Sequence, residues 1–209
     1  MISFVFLKTT YDSVIVPISD RYRIVFIHIP KCAGKSIWDG LGLAVCKCNL
    51  ISGEAPVYQH MLPKQLKDIY IGQARWNSYK KITIIRNPYD RVISDFFWLS
   101  KEAAYFNIKF NEFLSLREDV VKNSRYSENM YYDHFYPMYY YFENIEYDYV
   151  LRFENLKTEL PRIRKIFNIE RPFKKTNSTD HKSFVLTKTQ KERIYKLYKQ
   201  DFKQFSYPK

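Results

Sequence analysis

The pattern of apolar and polar positions divides the chain into alternating strands and helices. Residues 24 to 29 form an apolar run with no polar side chain before His28, which is typical of a strand buried on both faces of a parallel sheet. From Gly34 onward, apolar residues recur at helical spacing, namely Ile37, Leu41, Ala44 and Val45. The pattern therefore predicts a buried strand that passes through a short turn into a helix.

A second junction of the same kind covers residues 82 to 94. Asn87 is a good N-cap, Pro88 suits the first helical position, and Asp90 complements the helix dipole. One face of this helix is apolar, and the opposite face carries Arg91, Ser94, Asp95 and Trp98. We therefore expect Ser94 to face away from the apolar core.

The rest of the chain contains four further helical segments. They are predicted at Pro63 to Tyr70, at Phe110 to Val121, over the stripe from Leu156 to Phe167, and in the C-terminal segment, whose capping box is either Thr187 with Gln190 or Thr189 with Glu192. Because strands and helices alternate, we expect a parallel sheet with right-handed crossovers in a single domain that spans residues 1–209. Such sheets bind ligands at the carboxyl ends of their strands, where both junctions lie.

The chemistry of both junctions suits anions. The first reads Pro30-Lys-Cys-Ala-Gly-Lys-Ser36, so the unpaired N–H groups and positive dipole end of a helix follow a basic turn. At the second junction, the side chain of Arg86 is long enough to reach the side of Ser94, and a guanidinium and a hydroxyl can together hold a phosphate. The sequence therefore predicts two anion sites at one edge of the sheet.

These two motifs resemble those of a known family. The segment Pro30 to Ser36 is similar to the 5′-phosphosulfate-binding loop of sulfotransferases that use 3′-phosphoadenosine 5′-phosphosulfate (PAPS), and Arg86-x-Pro-x-x-Arg-x-x-Ser94 is similar to their 3′-phosphate-binding motif. The chain looks most like the carbohydrate sulfotransferases, and the resemblance covers residues 22 to 207. It implies a P-loop-like three-layer α/β/α fold with a central parallel sheet.

The resemblance also implies a reaction and its residues. A sulfuryl group would move from PAPS to an acceptor hydroxyl, on a carbohydrate in the first instance, by in-line displacement and without a metal. Lys31 would stabilise the leaving 5′-phosphate, and the surrounding loop would hold the donor through Cys32, Ala33, Gly34, Lys35 and Ser36. Arg86 and Ser94 would bind the 3′-phosphate.

The acceptor hydroxyl needs a general base, for which histidine is the usual residue. The resemblance places His60 in this role, and His134 is the alternative, although Met138 stands where the family usually has Gln. His28 ends a buried strand and is expected to be structural, while His181 lies in a basic loop that would cover the nucleotide. No two histidines have the spacing of metal ligands on one element, so we expect no metal site.

Several acceptor classes remain open from the sequence: a sugar, a lipid, a small alcohol or a peptide tyrosine. An aromatic run fits either core packing or a platform for sugar rings, and it comprises Tyr131, Tyr132, Tyr139, Tyr140, Tyr141 and Phe142.

A nucleoside triphosphate-dependent kinase is the runner-up. Lys35 stands where the sulfotransferase loop usually has Thr or Ser, so that Gly34-Lys35-Ser36 imitates the end of a Walker A loop. The first glycine of that motif would fall at Ile29, however, and no convincing apolar strand ends in an acidic residue that could hold Mg²⁺. The nearest carboxylates are those of Asp148 and Glu154.

The formal net charge of +12, with a pI near 9.4, indicates an anionic partner. The donor nucleotide is one such partner, and an acidic glycan is another. A basic nucleic-acid-binding module would share this charge, but no recognised nucleic-acid motif is present, so we expect no nucleic-acid partner.

Neither a membrane span nor a secretion signal is expected. No apolar run reaches the length of a membrane helix, and the opening Met1 to Leu7 is too short for a signal peptide core. The expected location is the cytoplasm, or the Golgi lumen if the chain is part of an anchored eukaryotic protein. Cys32, Cys46 and Cys48 do not form a disulfide framework, and Cys32 is expected to pack beneath the phosphates rather than act as a nucleophile.

Overall fold

The computed structural model describes residues 17–42, 60–102, 108–123, 132–173 and 183–209. Its elements, in chain order, are β1 (Ile18–Ser19), β2 (Ile24–Ile27), α1 (Gly34–Leu41), α2 (Pro63–Gln65), a π-helical turn (Leu66–Ile71), α3 (Gln73–Ser78), β3 (Lys80–Ile85), α4 (Pro88–Glu102), α5 (Phe110–Asn123), two 3₁₀ turns (Tyr132–Phe135 and Met138–Phe142), β4 (Tyr149–Arg152), a third 3₁₀ turn (Phe153–Asn155), α6 (Leu156–Ile166), α7 (Lys188–Leu197) and α8 (Lys199–Gln204). Several positions that the sequence singles out lie outside the described residues, namely the opening Met1 to Leu7, Ala44, Val45, Cys46, Cys48, Tyr131 and His181.

The four strands form one sheet in the order β1-β2-β3-β4. β2, β3 and β4 are parallel, with Ile27 opposite Thr83 and Ile85 opposite Arg152. The short edge strand β1 runs antiparallel to β2, so the sheet is mostly parallel, and its central strands are parallel as expected. Helices flank this sheet, which confirms the α/β class. The register brings the carboxyl ends of β2 and β3 side by side, and both predicted anion motifs begin there.

The helix signals in the sequence are confirmed at most positions. The amide of Tyr89 donates to Asn87 Oδ1 at 2.9 Å, so Asn87 caps α4 as predicted. Thr187 and Gln190 form both bonds of a capping box at the start of α7. The helix expected from Pro63 to Tyr70 differs, since α2 is short and passes into a π-helical turn that ends at Gly72.

The apolar residues form two clusters. The first surrounds the sheet and includes all four residues of β2 together with Trp38, Tyr141 and Ile163. The second joins α4, α5, α7 and α8 through side chains such as Phe113, Ile194 and Phe202. Helix α4 contributes its apolar residues to the second cluster, and its polar face carries several of the residues discussed below. Within the described ranges, no helix combines the length and the apolar character needed to cross a bilayer.

Candidate active site

The loop between β2 and α1 has a backbone suited to an anion. Lys31 and Ala33 adopt left-handed conformations with φ of 64° and 62°, and α1 begins immediately afterwards at Gly34. Ala33 is the N-cap but offers no side-chain oxygen, and the first turn of α1 contains no acidic residue. The N-cap residue therefore makes no side-chain hydrogen bond to the helix start, and a helix N-terminus of this kind is suited to an anion.

His28 fills the space behind this loop. A Cβ atom on Gly34 would lie 1.8 Å from His28 Nε2, so only glycine fits at position 34. His28 is buried, and burial lowers its pKa well below the ordinary value, helped by the neighbouring His60 and His134. The imidazole is therefore neutral at pH 7 and supports the loop, which agrees with the structural role expected from its place at a strand end.

Arg86 follows β3 and contacts the loop directly. Its Nη1 donates to the carbonyl of Lys31 at 3.0 Å, and its guanidinium carbon lies 3.9 Å from the ring centroid of Phe153. Its Nε is buried and has no hydrogen-bond partner among the described residues. The two sequence motifs therefore meet through a hydrogen bond, and the guanidinium retains an unpaired donor.

The polar face of α4 is buried rather than exposed to solvent. Ser94 is 7% exposed, and Asp95 and Arg91 are completely or almost completely buried. Arg91 donates from Nε to Pro30 O, from Nη1 to Tyr136 O and from Nη2 to His134 O, at 3.0, 2.8 and 3.1 Å. Ser94 thus lies opposite the apolar stripe as expected, but the loop before α1 and the segment around residue 135 cover this face. Amphipathic periodicity alone does not reveal that second contact.

His60 forms a hydrogen-bonded pair with Asp133. The His60 Nδ1 and Asp133 Oδ2 atoms are 2.8 Å apart, and His60 O accepts a bond from the Tyr141 hydroxyl at 3.0 Å. A carboxylate only accepts, so His60 Nδ1 carries the proton and Nε2 retains its lone pair. Burial lowers the pKa of His60, although Asp133 partly offsets this effect. The imidazole is therefore neutral and oriented, as a general base requires.

His134 forms a second pair of the same kind with Asp95. His134 Nδ1 and Asp95 Oδ1 are 2.6 Å apart, and Asp95 also accepts from the guanidinium of the fully buried Arg117. Burial alone would raise the pKa of Asp95, but the hydrogen bond with His134 and the charge of Arg117 hold it well below the usual range. Asp95 therefore stays ionised and fixes the orientation of His134. Arg117 is held in turn by Tyr198, whose hydroxyl accepts from Nη2 at 2.7 Å.

The two pairs and the loop form one continuous site. The rings of His60 and His134 meet edge to face with centroids 4.8 Å apart, and those of His28 and His60 are 4.6 Å apart. The indole of Trp98 stacks on His134 with centroids 4.7 Å apart, and Lys31 Nζ lies 4.8 Å from the Trp98 ring centroid. The candidate base, its alternative and the loop lysine thus surround the same space.

The remaining loop residues differ in exposure. Cys32 is buried, and burial raises the pKa of its thiol to about 12, so the side chain is a protonated packing group, as expected. Lys35 is exposed and Ser36 is buried.

The chain matches the model of the sulfotransferase family over residues 16–208, which is nearly its full length. The protein belongs to this sulfotransferase family. The match confirms the resemblance drawn from the two motifs and identifies the protein as a transferase of sulfuryl groups. Comparisons with curated proteins and with solved structures gave no significant match.

The carboxylates that a kinase would need for Mg²⁺ are engaged elsewhere in this sulfotransferase. Asp148 binds Lys80 Nζ at 2.7 Å and the amide of Lys81 at 2.9 Å. Glu154 accepts from the amide of Asn87 at 2.7 Å and from the hydroxyl of Tyr207 at 3.0 Å. Together with the family match, these contacts argue against the kinase alternative.

The aromatic run is mainly core. Tyr140 and Tyr141 are buried, while Tyr139 and Phe142 are half-buried and pack against the sheet cluster. Of the two interpretations of this run, the described part supports packing.

The sequence analysis assigned no role in the site to four of its residues: Asp95, Trp98, Arg117 and Asp133. Asp133 directly precedes His134, and Asp95 lies one turn after Arg91 on the face that carries Ser94, so a search for carboxylates beside the histidines and along that face would have found both. Arg117 falls at helical spacing from Phe113, Leu114 and Val120 on the buried face of α5, so the apolar stripe of this helix is the signal that would have found it.

Proposed function

We propose that this sulfotransferase uses PAPS as donor and transfers the sulfuryl group to a carbohydrate hydroxyl. The single observation that supports the proposal is that Lys31 lies in one site with the two histidine–aspartate pairs. Lys31 contacts the Trp98 ring, Trp98 stacks on His134, and His134 contacts His60. A donor loop and a general base must flank the same reacting sulfur, and this arrangement satisfies that requirement. We further propose that residues 1–209 act as one domain.

The donor would bind along the edge where β2 and β3 end. The backbone from Cys32 to Ser36, with Lys35 at its exposed side, would hold the 5′-phosphosulfate, and Lys31 would stabilise charge on the leaving oxygen. Arg86 and Ser94 would hold the 3′-phosphate. The unpaired Nε of Arg86 supports this role, because a buried guanidinium donor is stabilised by an anionic acceptor.

In the proposed reaction, the acceptor oxygen attacks sulfur while the bond from sulfur to the 5′-phosphate oxygen breaks. The acceptor proton goes to His60 Nε2, and adenosine 3′,5′-bisphosphate leaves with the bonding electron pair. Asp133 is a positioning residue in this scheme, since it holds the proton on His60 Nδ1 and keeps the lone pair on Nε2. His134 has the same geometry with Asp95 and is the alternative base.

A carbohydrate acceptor is supported by the likeness of the motifs to those of carbohydrate sulfotransferases.

Two measurements test the proposal. Adenosine 3′,5′-bisphosphate should raise the melting temperature, while ATP with Mg²⁺ should not, because only a ligand that binds the folded state stabilises it.

Lys31→Ala should lower turnover far more than nucleotide affinity, whereas Arg86→Ala and Ser94→Ala should weaken binding of the bisphosphate but not of adenosine 5′-monophosphate. Stabilisation by ATP alone would support the kinase instead, and unchanged turnover of Lys31→Ala would exclude the role of this lysine.

A further inference from the structure

Three potential metal ligands from two separate segments meet beside the loop. One ligand atom from each of His60, Asp133 and His134 lies within 4.8 Å of the other two. Both histidines are buried, and the Asp133 side chain is only 16% exposed. Because His60 lies far from the other two in sequence, no spacing pattern along one element could have indicated this grouping.

Two polar atoms in this region lack partners. Asp133 uses Oδ2 for His60, while its Oδ1 is buried and accepts no hydrogen bond from the described residues. The Nδ1 atom of His28, whose ring contacts that of His60, is likewise buried without a described partner. A buried carboxylate oxygen without a partner costs free energy, and a bound cation would remove that cost.

The donor set also identifies the kind of cation. Two imidazoles and one carboxylate with an open fourth position are typical of zinc sites that keep an exchangeable ligand. Mg²⁺ and Ca²⁺ require more oxygen ligands than the three residues provide. The Asp95 carboxylate on His134 Nδ1, itself held by Arg117, has the arrangement of a second-shell group that orients a metal-binding imidazole.

We propose that His60, Asp133 and His134 bind a divalent first-row transition metal ion, for which Zn²⁺ is the best fit. The Asp133 carboxylate offsets half of the charge of the ion. Lys31 Nζ lies 4.8 Å from the centroid of the Trp98 ring, which stacks on His134, and its positive charge opposes the ion, so the affinity should be weaker than that of a closed structural zinc site.

Cobalt binding to the full chain tests the site, since Co²⁺ occupies zinc sites and its visible spectrum reports the ligands. We expect one equivalent of Co²⁺, displaced by Zn²⁺ and without the sulfur charge-transfer band of cysteine ligation. Asp133→Asn and His60→Gln should each weaken binding about tenfold or more. Unchanged affinity in both variants would overturn the proposal, as would the absence of binding to the wild type.

The cysteines provide the necessary control. Cys46 and Cys48 are two residues apart and could chelate a metal by themselves. The double variant Cys46→Ser, Cys48→Ser should therefore bind Co²⁺ as the wild type does, and loss of binding in this variant would overturn the proposal. Because the histidine and aspartate variants replace buried groups, wild-type crystals soaked in Zn²⁺ give an independent measurement. An anomalous peak between the three side chains is expected, and peaks only at other positions would contradict the site.

One consequence rests on the proposed function. If His60 is the base, bound Zn²⁺ should inhibit sulfuryl transfer in competition with the acceptor, because an imidazole that coordinates the ion cannot accept the proton of the acceptor hydroxyl. Binding at the three side chains without inhibition would refute the catalytic role of His60 and leave the metal site intact. If the wild type binds no Co²⁺ and His60→Ala loses transfer activity, the metal site is refuted and the catalytic role of His60 stands.

Discussion

Arg91 Nε donates a hydrogen bond to the backbone carbonyl of Pro30, with 3.0 Å between the two atoms. The same guanidinium donates to the carbonyls of His134 and Tyr136, so one buried side chain joins the loop between β2 and α1 to the segment that carries His134. This cation has no aspartate or glutamate partner among the salt bridges of the described residues, and three carbonyl dipoles surround it instead.

Replacing Arg91 by methionine should destabilise the protein by roughly 3 to 5 kcal/mol, because three buried carbonyls lose their donors. Urea unfolding monitored by tryptophan fluorescence would measure the loss. Arg193→Met is the matched control: this arginine pairs with Glu118 at a partly exposed surface, so its loss should cost about 1 kcal/mol or less. Equal losses in the two variants would show that the carbonyl contacts contribute little.

Gly34→Ala should lower donor affinity, since its Cβ would overlap the ring of His28 and displace the loop. Adding His28→Ala should restore part of the affinity, because it removes the clashing ring, and a double-mutant cycle would measure this coupling. Gly72→Ala is the control, with no atom within 4 Å of its Cβ and only its positive φ against it. Titration of adenosine 3′,5′-bisphosphate by calorimetry provides the data, and additive effects at positions 28 and 34 would contradict the steric explanation.

Asp133→Asn should reduce kcat about 10- to 100-fold with little change in donor affinity, because an amide no longer fixes the tautomer of His60. Steady-state kinetics with the native acceptor and a separate calorimetric titration of the bisphosphate would separate the two effects. Asp20→Asn, which removes the charge of an exposed carboxylate that accepts from the Tyr79 hydroxyl, serves as the control. Parallel losses of kcat and donor affinity in Asp133→Asn would indicate general disruption rather than loss of positioning.

The sequence predicted the features that depend on neighbouring residues and missed those that depend on contacts between residues far apart in the chain. The junctions at Gly34 and Asn87 rest on local signals, a cap, a proline and a change of periodicity, and these signals were sufficient. The His60 pair joins residues 73 positions apart, and Arg117 contacts Tyr198 across 81 positions. No local pattern identifies the partner in either contact, because each contact joins residues on different elements. The burial of Ser94 was missed for the same reason, since periodicity shows which side of a helix is polar but not what covers that side.

Asp201 gives a pH dependence whose sign is defined. It is fully buried, its carboxylate accepts from the amides of Met138 and Tyr139 at 2.8 Å, and burial raises its pKa from 3.8 to about 6 against the opposing effect of these bonds and of Arg91. The folded state thus binds the proton more tightly than the unfolded state, so this group contributes stability that is complete below pH 3.8 and is lost as the pH rises through about 6. The difference in unfolding free energy between wild type and Asp201→Asn should therefore shift by about 2 kcal/mol against the wild type between pH 4 and pH 7.

Asp148→Asn is an informative control, because Lys80 and the Lys81 amide lower the pKa of Asp148 despite its partial burial, so its contribution is present above pH 3.8 and is lost as the pH falls. Urea unfolding at a series of pH values would measure both differences, and a flat profile for Asp201→Asn would show that this carboxyl titrates alike in the folded and unfolded chains.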